Sequence, residues 1–258
     1  MKDAPPPLFN RAIRKARSLA MRPKLKAYLE GMDSENPLRG LPARVVGDAS
    51  ADPTEFFSHY DGFAFWVANR LAQRGVPRRI LDIGSPKMQN AMLSASHDVT
   101  AVVLADADDR FSRVKYVYHD VTERLPFDDA VFDCFTSTVA IPLIGLGRYG
   151  DRVDPNAIPN LIIELGRVMT DAAELLVSLT LGPNMLAFNN SWYLDLETTK
   201  RLFAGWTLVE TVIDQWSSPR MKNEGDPADR FIGPERMPNI SQADYRVMFC
   251  AFIREGRS

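Results

Sequence analysis

One glycine-rich stretch of the sequence, residues 142–155 (PLIGLGRYGDRVDP), carries side chains that could do chemistry. Arg148, Tyr149, Asp151 and Asp154 lie among its three glycines, which would let the backbone approach a ligand closely. A guanidinium can hold an anion, and a carboxylate beside an acceptor hydroxyl can remove its proton. We interpret Asp151 as the catalytic base, Arg148 as the group that positions a charged or hydroxylated acceptor, and Tyr149 as part of a polar wall. The alternative is a turn-rich connection with an internal Arg–Asp pair.

A second polar segment, residues 181–194 (LGPNMLAFNNSWYL), places amides beside aromatic rings. Its candidates for acceptor binding are Asn189, Asn190, Trp192 and Tyr193. Such a set suits a sugar, because a sugar ring has apolar faces that stack on aromatic rings and hydroxyl edges that bond to amides. For Trp192, a core position that anchors the next helix is an equal alternative.

Three aspartates each follow an apolar run that is typical of a buried strand. Asp82 ends the run in RRILDIGSP, in which Gly84 and Ser85 form a tight turn. Asp106 ends the next run and could accept hydrogen bonds from both hydroxyls of a ribose. Asp120 follows the third run and, with the adjacent backbone, could bind the amine and ring nitrogen of adenine. The alternatives are, respectively, a simple strand-to-helix turn, a loop carboxylate and the N-cap of a short turn.

Alternating strands and helices must position these residues. The apolar runs that predict strands are residues 79–83, 99–105, 114–118, 131–136, 175–181, 208–213 and 245–253. The first five are spaced as β-α-β units, whose crossover connections build a parallel sheet. Helices are predicted over residues 53–74 and 87–95.

The first 52 residues differ in character from the rest. Residues 1–52 are predicted to form a basic helical extension and a linker around residues 36–47, ahead of one domain over residues 53–258. The pattern favours an N-terminal helix that packs on the domain with a solvated basic face. The alternative is a peripheral contact between this helix and an anionic membrane surface.

The segments ILDIGS and LPFDDAVFD, with the acidic residues between them, resemble the class I S-adenosylmethionine-dependent methyltransferases. The resemblance implies an α/β, Rossmann-like, seven-stranded sheet of order 3-2-1-4-5-7-6, with an antiparallel seventh strand and helices on both faces. It also implies S-adenosylmethionine as the cofactor. The implied cofactor contacts are Asp82, Gly84 and Ser85 at the methionine and ribose end, Asp106 at the ribose, Asp120 and Val121 at the adenine, and Ser137 on the fourth strand.

The phrase GLGRYGD, with the later AFNN, is similar to a narrower family of poorly characterised methyltransferase-like proteins encoded with surface-polysaccharide enzymes. His59 and Tyr60, in the helix before the first strand of the sheet, also fit that family. We include them, with Asp154, among the candidates for acceptor binding. His59 and Asp154 are also the alternatives to Asp151 as the base.

Two departures from these families bear on catalysis. The turn after Asp82 lacks the usual second and third glycines. The narrower family carries a Glu-His pair before its Gly-Leu-Gly, whereas this chain has Pro142 and Leu143 there. If that pair is the base in relatives, another group acts as base here, or catalysis is impaired.

Composition and charge argue against several classes of protein. A formal net charge of −2 at pH 7 gives no case for a nucleic-acid partner. No apolar run reaches the roughly 18 residues of a membrane-spanning helix. Both cysteines fall in apolar runs, as buried thiols in a reducing compartment would, and the three histidines lack metal-ligand spacing. We therefore expect a cytoplasmic protein without a structural metal.

These features together predict an S-adenosylmethionine-dependent O-methyltransferase that acts on a saccharide or glycan precursor. One alternative is a methyltransferase for another small molecule, such as a natural product. The other is a methyltransferase fold that has become a binding or scaffolding module in glycan assembly. The oligomeric state is left open.

Overall fold

The computed structural model describes residues 21–45, 58–105, 110–215, 230–237, 240 and 245–254. Most of the expected basic N-terminal helix, and the domain boundary expected at residue 52, lie outside the described residues. Asp106, the expected ribose ligand, also lies outside them.

Strands and helices alternate along most of the described chain. In order they are α1 (21–30), β1 (Ala43–Val45), α2 (His59–Arg74), β2 (Arg79–Ile83), α3 (Lys87–Leu93), β3 (Asp98–Val103), β4 (Lys115–Tyr118), β5 (Phe132–Thr138), α4 (Ala157–Val168), β6 (Met169–Leu181), β7 (Met185–Phe188), β8 (Ser191–Tyr193), α5 (Leu196–Leu202), β9 (Trp206–Asp214), β10 (Phe231–Ile232) and β11 (Arg246–Arg254). Single turns of 3-10 helix follow β5 at Ile141–Leu143 and β10 at Pro234–Arg236.

Of the described strands, eight form one large sheet in the order β10-β9-β11-β6-β5-β2-β3-β4. The strands from β6 to β4 pair in parallel, whereas β11 runs antiparallel to both β6 and β9. Leaving out β10, this is the expected order with its antiparallel last strand. The short β10, antiparallel to β9 at the edge, is an additional strand that the seven-stranded expectation did not contain.

Two element boundaries differ from those predicted. Strand β6 begins at Met169, well before residue 175, because α4 ends at Val168 and Met169 already pairs with Phe132 of β5. Helix α2 begins at His59 rather than near residue 53. Its start is fixed by Asp61, whose carboxylate accepts hydrogen bonds from the N–H of Ser58 at 2.8 Å and from its hydroxyl at 3.0 Å.

Apolar side chains fill both faces of the large sheet. On one face Phe63 and Val67 of α2 and Leu93 of α3 pack with buried sheet residues. On the other face the main core includes Leu161 of α4 and Phe203, which follows α5. Burial of these apolar surfaces is the main source of stability for such a layered fold. The predicted placement of helices on both faces is confirmed.

The two cysteines, Cys134 and Cys250, are buried and carry free thiols, as predicted. Burial raises the pKa of both thiols, that of Cys250 to about 12. Because the thiolate is the reactive form, neither cysteine is a nucleophile near neutral pH.

A second, smaller sheet in the order β1-β7-β8 covers part of the molecule. Ala43 of β1 pairs in parallel with Leu186 of β7, and Leu38 is 1% exposed within the main core. The interpretation of residues 36–47 as a linker is therefore wrong for their described part, residues 36–45. These turn residues belong to a packed segment, because the strand that follows them, β1, pairs with β7 far along the chain.

Helix α5 provides a test of how a single carboxylate stabilises this fold. Asp195 is its N-cap and accepts hydrogen bonds from the N–H of Thr198 at 2.7 Å and from the amide of Asn184 at 2.6 Å. Burial raises the pKa of this carboxyl, but these hydrogen bonds outweigh burial and hold the pKa below its usual value. We expect Asp195→Ala to lower the free energy of unfolding by about 0.5–2 kcal/mol near neutral pH.

The stability difference between wild type and Asp195→Ala should depend on pH. A carboxyl with a lowered folded-state pKa stabilises the fold above its unfolded-state pKa, and this contribution is lost as pH falls through the folded-state pKa. The difference between wild type and Asp195→Ala should therefore shrink in acid. Urea unfolding at neutral and acid pH measures it, with Asp195→Asn, an equally good N-cap without charge, as the control. A pH-independent difference would contradict the assignment.

Candidate active site

The candidate residues converge on one edge of the large sheet. The parallel strands β2 to β6 all end at this edge, where ligands bind in open α/β sheets. Helix α2 precedes β2 and packs along the sheet, so its first turn, with His59 and Tyr60, lies at the same edge. Because β11 is antiparallel to its neighbours, β9 ends and β11 begins there as well.

The turn after β2 depends on a glycine. Gly84 has φ +81°, a left-handed backbone conformation that residues other than glycine rarely adopt. A Cβ at this position would lie 2.2 Å from the Cβ of Ala140, which follows β5. The absence of a side chain thus lets the turns after β2 and β5 meet, and it leaves the backbone of Gly84 exposed at the edge.

Asp82 lies beneath this turn and is 1% exposed. Its carboxylate accepts hydrogen bonds from the hydroxyl of Thr136 at 2.6 Å, the amide of Asn90 at 2.8 Å and the N–H of Ser85 at 3.2 Å. Burial raises the pKa of Asp82, and these hydrogen bonds oppose the rise. The buried Asp82 side chain therefore fixes the turn from below, and its contact with the cofactor stays a prediction.

A row of polar groups lies above Asp82. The half-buried Ser85 and the buried Thr138 join their hydroxyls at 2.9 Å, and Thr138 also donates to Gln89 at 3.2 Å. Ser137 is 0% exposed and its hydroxyl has no hydrogen-bond partner among the described residues, so its side chain does not line the open edge. An exposed glycine backbone beside a hydroxyl row matches the polar, hydroxyl-bearing surface of a nucleoside. The residues at the end of β2 therefore fit the implied cofactor.

Asp120 and Val121 hold a turn at the end of β4. The carboxylate of Asp120 accepts hydrogen bonds from the N–H groups of Thr122 and Arg152, both at 2.9 Å. Burial raises the pKa of Asp120, but these bonds outweigh it and the net pKa is lowered. The turn-cap alternative is thus the arrangement observed, and Asp120 also anchors the glycine-rich loop. Val121 is 8% exposed and packs in the main core.

Asp151 is the internal anchor of the glycine-rich loop. It is 9% exposed, and its carboxylate accepts hydrogen bonds from the N–H groups of Gly145 at 2.8 Å, Tyr149 at 3.2 Å and Gly147 at 3.3 Å. These three bonds engage both carboxylate oxygens, and the side chain is nearly buried, so little of it can face an acceptor. We therefore correct its assignment from catalytic base to loop anchor. The internal Arg–Asp pair of the alternative interpretation does not form with Asp151, because the partners of its carboxylate are backbone groups.

Asp154 is likewise engaged locally, through a hydrogen bond from the N–H of Asn156 at 2.8 Å. Its backbone oxygen would lie 2.2 Å from a Cβ on Gly145, so these two parts of the loop touch. Asp154 thus shapes the start of α4, and the structure gives it no exposed role at the edge.

The structure brings Arg148 together with the segment of residues 181–194. Nη1 of Arg148 donates to the backbone oxygen and to the side-chain oxygen of Asn190, both at 3.0 Å. The amide of Asn190 in turn donates to the hydroxyl of Tyr193 at 2.6 Å. The guanidinium also lies 5.4 Å from the ring centre of Tyr149, which is 66% exposed. Two distant segments therefore build one polar wall.

Two further candidates in residues 181–194 have other roles. Trp192 is 0% exposed and its indole N–H donates to the hydroxyl of Tyr28 at 3.3 Å. We correct Trp192 from acceptor wall to core. Asn189 has φ +66° and forms the hairpin turn between β7 and β8 with Asn190, whose N–H donates to Ala187.

His59 and Tyr60 open α2 with their rings 4.2 Å apart. Burial lowers the pKa of His59; Asp214 opposes the shift and Arg230 adds to it. Burial and the neighbouring Tyr149 raise the pKa of Tyr60, while Arg148 opposes the rise. The first turn of α2 therefore lies near the polar wall, and His59 is a neutral imidazole near neutral pH.

Sequence reasoning missed several residues of this edge. Thr136 and Thr138 could have been suspected, because they flank the candidate Ser137 and give the strand three hydroxyls in a row at its end. The buried ion pair between Asp214 and Arg230, with Nη2 and Oδ2 2.8 Å apart, could not be predicted from the sequence. Asp214 is the last residue of β9, whereas Arg230 directly precedes β10. The place of Arg44 could not be predicted either, because it depends on the pairing of β1 with β7.

Comparison with known proteins rests on structure alone. The chain matches no protein-family model and no curated protein sequence. Among solved structures, the chain is similar to the [4+2]-cyclase SpnF, with a TM-score of 0.55 and 14% identity. The matched region covers 95% of this chain and 96% of the SpnF chain. A candidate sarcosine dimethylglycine methyltransferase from Galdieria sulphuraria has a TM-score of 0.51, 13% identity, and coverage of 75% and 85%. The N-methyltransferase NodS from Bradyrhizobium japonicum has a TM-score of 0.50, 12% identity, and coverage of 77% and 98%.

The chain has the class I methyltransferase fold. The Rossmann-like sheet that the sequence implied is thereby confirmed. Since one of the similar structures is named for a cyclisation, the fold alone does not define the reaction. The reaction must be argued from the residues at the edge.

The described residues contain no group of three or more His, Cys, Asp or Glu side chains that could hold a metal ion. No helix among them is both long and apolar enough to cross a membrane.

The corrected role of Asp151 leads to a prediction. Asp151→Ala leaves the N–H groups of three loop residues without their acceptor, which costs about 1–3 kcal/mol for a buried group. We expect weaker acceptor binding, because the loop that carries Arg148 loses its anchor, and an unchanged pH profile of the rate. Steady-state kinetics across pH test this. Loss of the rate with a normal acceptor KM would return Asp151 to the role of base.

Proposed function

We propose that the protein is an S-adenosylmethionine-dependent methyltransferase that methylates a hydroxyl group of a saccharide or glycan precursor. The observation that supports the proposal most is the turn after β2, where Gly84 and the half-buried Ser85 are held from below by the buried Asp82. This turn stands at the centre of a methyltransferase sheet.

In this proposal the end of β2 binds the cofactor. The bound cofactor supplies an activated methyl group on a sulfonium. The chain then needs to align the acceptor hydroxyl with that methyl group and to take up a proton. Ser85 and Thr138 hold the turn in register, and their joined hydroxyls offer donors and acceptors to the cofactor's polar groups.

The acceptor lies against the wall formed by Arg148, Tyr149 and Asn190, and the buried Tyr193 supports Asn190 from behind. Its exposed aromatic ring, Tyr149, offers a surface for the apolar face of a sugar. The amide and guanidinium offer hydrogen-bond donors for hydroxyl groups. A saccharide therefore suits this wall better than a purely apolar acceptor does.

His59 is the base in this proposal. Among the candidates, Asp151 and Asp154 are occupied by backbone N–H groups, whereas burial keeps His59 neutral and able to accept a proton. The buried pair of Asp214 and Arg230 acts electrostatically on the imidazole. The Glu-His pair of the narrower family is thus replaced by a histidine from another part of the chain.

The test is a methyl-transfer assay with S-adenosylmethionine and a panel of mono- and oligosaccharides. Formation of S-adenosylhomocysteine that depends on an added sugar, with a methylated sugar detected by mass spectrometry, supports the proposal. If cofactor is bound but only a non-sugar acceptor is methylated, the saccharide part is wrong. The panel therefore includes small phenols and amines as alternative acceptors.

A second candidate is a binding module without catalysis. It is favoured by the observation that the carboxylates of Asp120 and Asp151 are both committed to backbone groups. The same assay separates the two, because a module would bind the cofactor or a glycan without releasing S-adenosylhomocysteine.

A further inference from the structure

The acceptor wall is bordered by a second arginine. Arg44 lies on β1 opposite Ala187 of β7, and Ala187 lies opposite Ser191 of β8. Since alternate residues of a strand share a face, Arg44 is on the same face of the small sheet as Tyr193. That face also carries Met185 and Ala187, which pack with Tyr193 in a small cluster apart from the main core.

Arg44 and Arg148 act on the same phenol. Burial raises the pKa of Tyr193 to about 12, and the charges of Arg44 and Arg148 both oppose this rise. Arg148 is also linked to the hydroxyl of Tyr193 through Asn190. Two guanidinium groups, from β1 and from the glycine-rich loop, therefore flank one position on the edge. We call Arg44, Arg148 and Tyr149, which lie around the buried Tyr193, the arginine–tyrosine surface.

The charge on this surface is not balanced by described residues. Both arginines are exposed, and neither forms an ion pair with a carboxylate of the described chain. By contrast, Arg70, Arg78 and Arg167 each pair with a carboxylate at 2.6 to 2.8 Å. The glycine-rich loop holds two carboxylates: that of Asp151 accepts three backbone N–H bonds and that of Asp154 accepts one. A pair of uncompensated guanidinium groups is a suitable site for an oxyanion.

The neighbouring rings limit what the oxyanion can be attached to. Tyr149 is 66% exposed and Tyr60 is 43% exposed, and both lie near Arg148. Their exposed faces match the apolar face of a sugar ring beside the charged group. A free inorganic anion would use the arginines and leave these rings unused.

We infer that the acceptor is an anionic sugar, whose phosphate or carboxylate group is bound by Arg44 and Arg148 while its ring lies against Tyr149. That the bound sugar is the methyl acceptor rests on the proposed function; the anion site does not. The oxyanion fixes the sugar at the outer side of the wall, so that another hydroxyl of the ring points toward the end of β2.

The experiment measures binding of three probes to the full chain by calorimetry: glucose 6-phosphate, glucuronate and glucose. Binding of either anionic sugar, with glucose at least about tenfold weaker, supports the inference, since loss of one charge-assisted contact has about this effect. Which anionic probe binds more tightly identifies phosphate or carboxylate as the recognised group. Equal affinity for all three probes, or no binding of either anionic sugar, would overturn it.

Variants locate the site. Arg44→Gln and Arg148→Gln should each weaken binding of the anionic sugar by about tenfold. Arg79→Gln removes the same charge at the start of β2, on the opposite edge of the sheet, and should bind as wild type does. If both wall variants keep wild-type affinity, the inference is wrong.

S-adenosylhomocysteine is titrated into the same variants to separate the two claims. If the cofactor product binds and no anionic sugar does, the inference fails and the proposed function stands. If an anionic sugar binds with the predicted variant effects and the cofactor product does not, the anion site stands and the proposed function fails.

Discussion

Replacing His59 by glutamine is expected to lower the rate of methyl transfer by about 10²- to 10⁴-fold, the usual contribution of a positioned general base. The imidazole of His59 is a neutral base at this edge, whereas the carboxylates of Asp151 and Asp154 accept hydrogen bonds from backbone N–H groups. The affinity for S-adenosylhomocysteine should not change, because the cofactor binds at the end of β2. The matched control is His97→Gln, which removes a histidine beside Arg78 at the opposite edge.

The pH profile gives this variant a second readout. Because burial lowers the pKa of His59 from 6.5, the wild-type rate should rise with pH through an apparent pKa below 6.5, and His59→Gln should lack this limb. The lowered pKa also affects stability, since the unfolded chain takes up the proton first as pH falls below 6.5. Wild type should therefore lose stability relative to His59→Gln in that range. A variant with wild-type turnover, or with the wild-type pH limb intact, would exclude His59 as the base.

Gly84→Ala is expected to abolish or severely weaken cofactor binding. An alanine in the left-handed conformation costs about 1–2 kcal/mol, and relieving the contact with Ala140 costs about 1–3 kcal/mol more. Because that contact joins the turns after β2 and β5, its relief displaces the cofactor turn itself. We expect affinity for S-adenosylhomocysteine to fall by about 10- to 100-fold or more.

Gly75→Ala is the matched control for this variant. Gly75 caps α2 with φ +68°, so alanine there has the same backbone strain, but a Cβ would meet nothing within 4 Å. It should lose stability by about 1–2 kcal/mol and bind the cofactor as wild type does. Calorimetry and urea unfolding on both variants separate strain from contact. If the two variants bind equally well, the turn after β2 does not hold the cofactor.

The sheet could be predicted from the sequence because its signals are local. The run Arg79–Ile83 is apolar, ends in Asp82 and turns at Gly84, and the following runs repeat this pattern at the spacing of β-α-β units. The strand order then follows from the family resemblance. The short β10 was missed because two paired residues leave no pattern in a sequence.

The roles of the carboxylates could not be predicted, because their partners are backbone N–H groups. Asp120 is held by the N–H of Arg152, which is far away in sequence, and any residue type at that position would supply the same donor. Asp151 folds back on its own loop. In both cases the sequence shows a reactive group but not the hydrogen bonds that occupy it.

The acceptor wall could be predicted only in part. The sequence indicated that Arg148, Asn190 and Tyr193 could serve one site, and the hydrogen bonds between them support that grouping. Trp192 could have belonged to the core or to the wall, because strand register decides which way a side chain points. The position of Arg44 could not be predicted, because it depends on the parallel pairing of β1 with β7, which lie more than half of the chain apart in sequence.

The most direct test of the account is calorimetric titration of S-adenosylhomocysteine into the wild-type chain. We expect saturable binding at one site, retained in Gly75→Ala and in Arg148→Gln and lost or strongly weakened in Gly84→Ala. Absence of binding at millimolar concentrations of the ligand would contradict the assignment of the turn after β2 as a cofactor site, and with it the proposed methyl transfer.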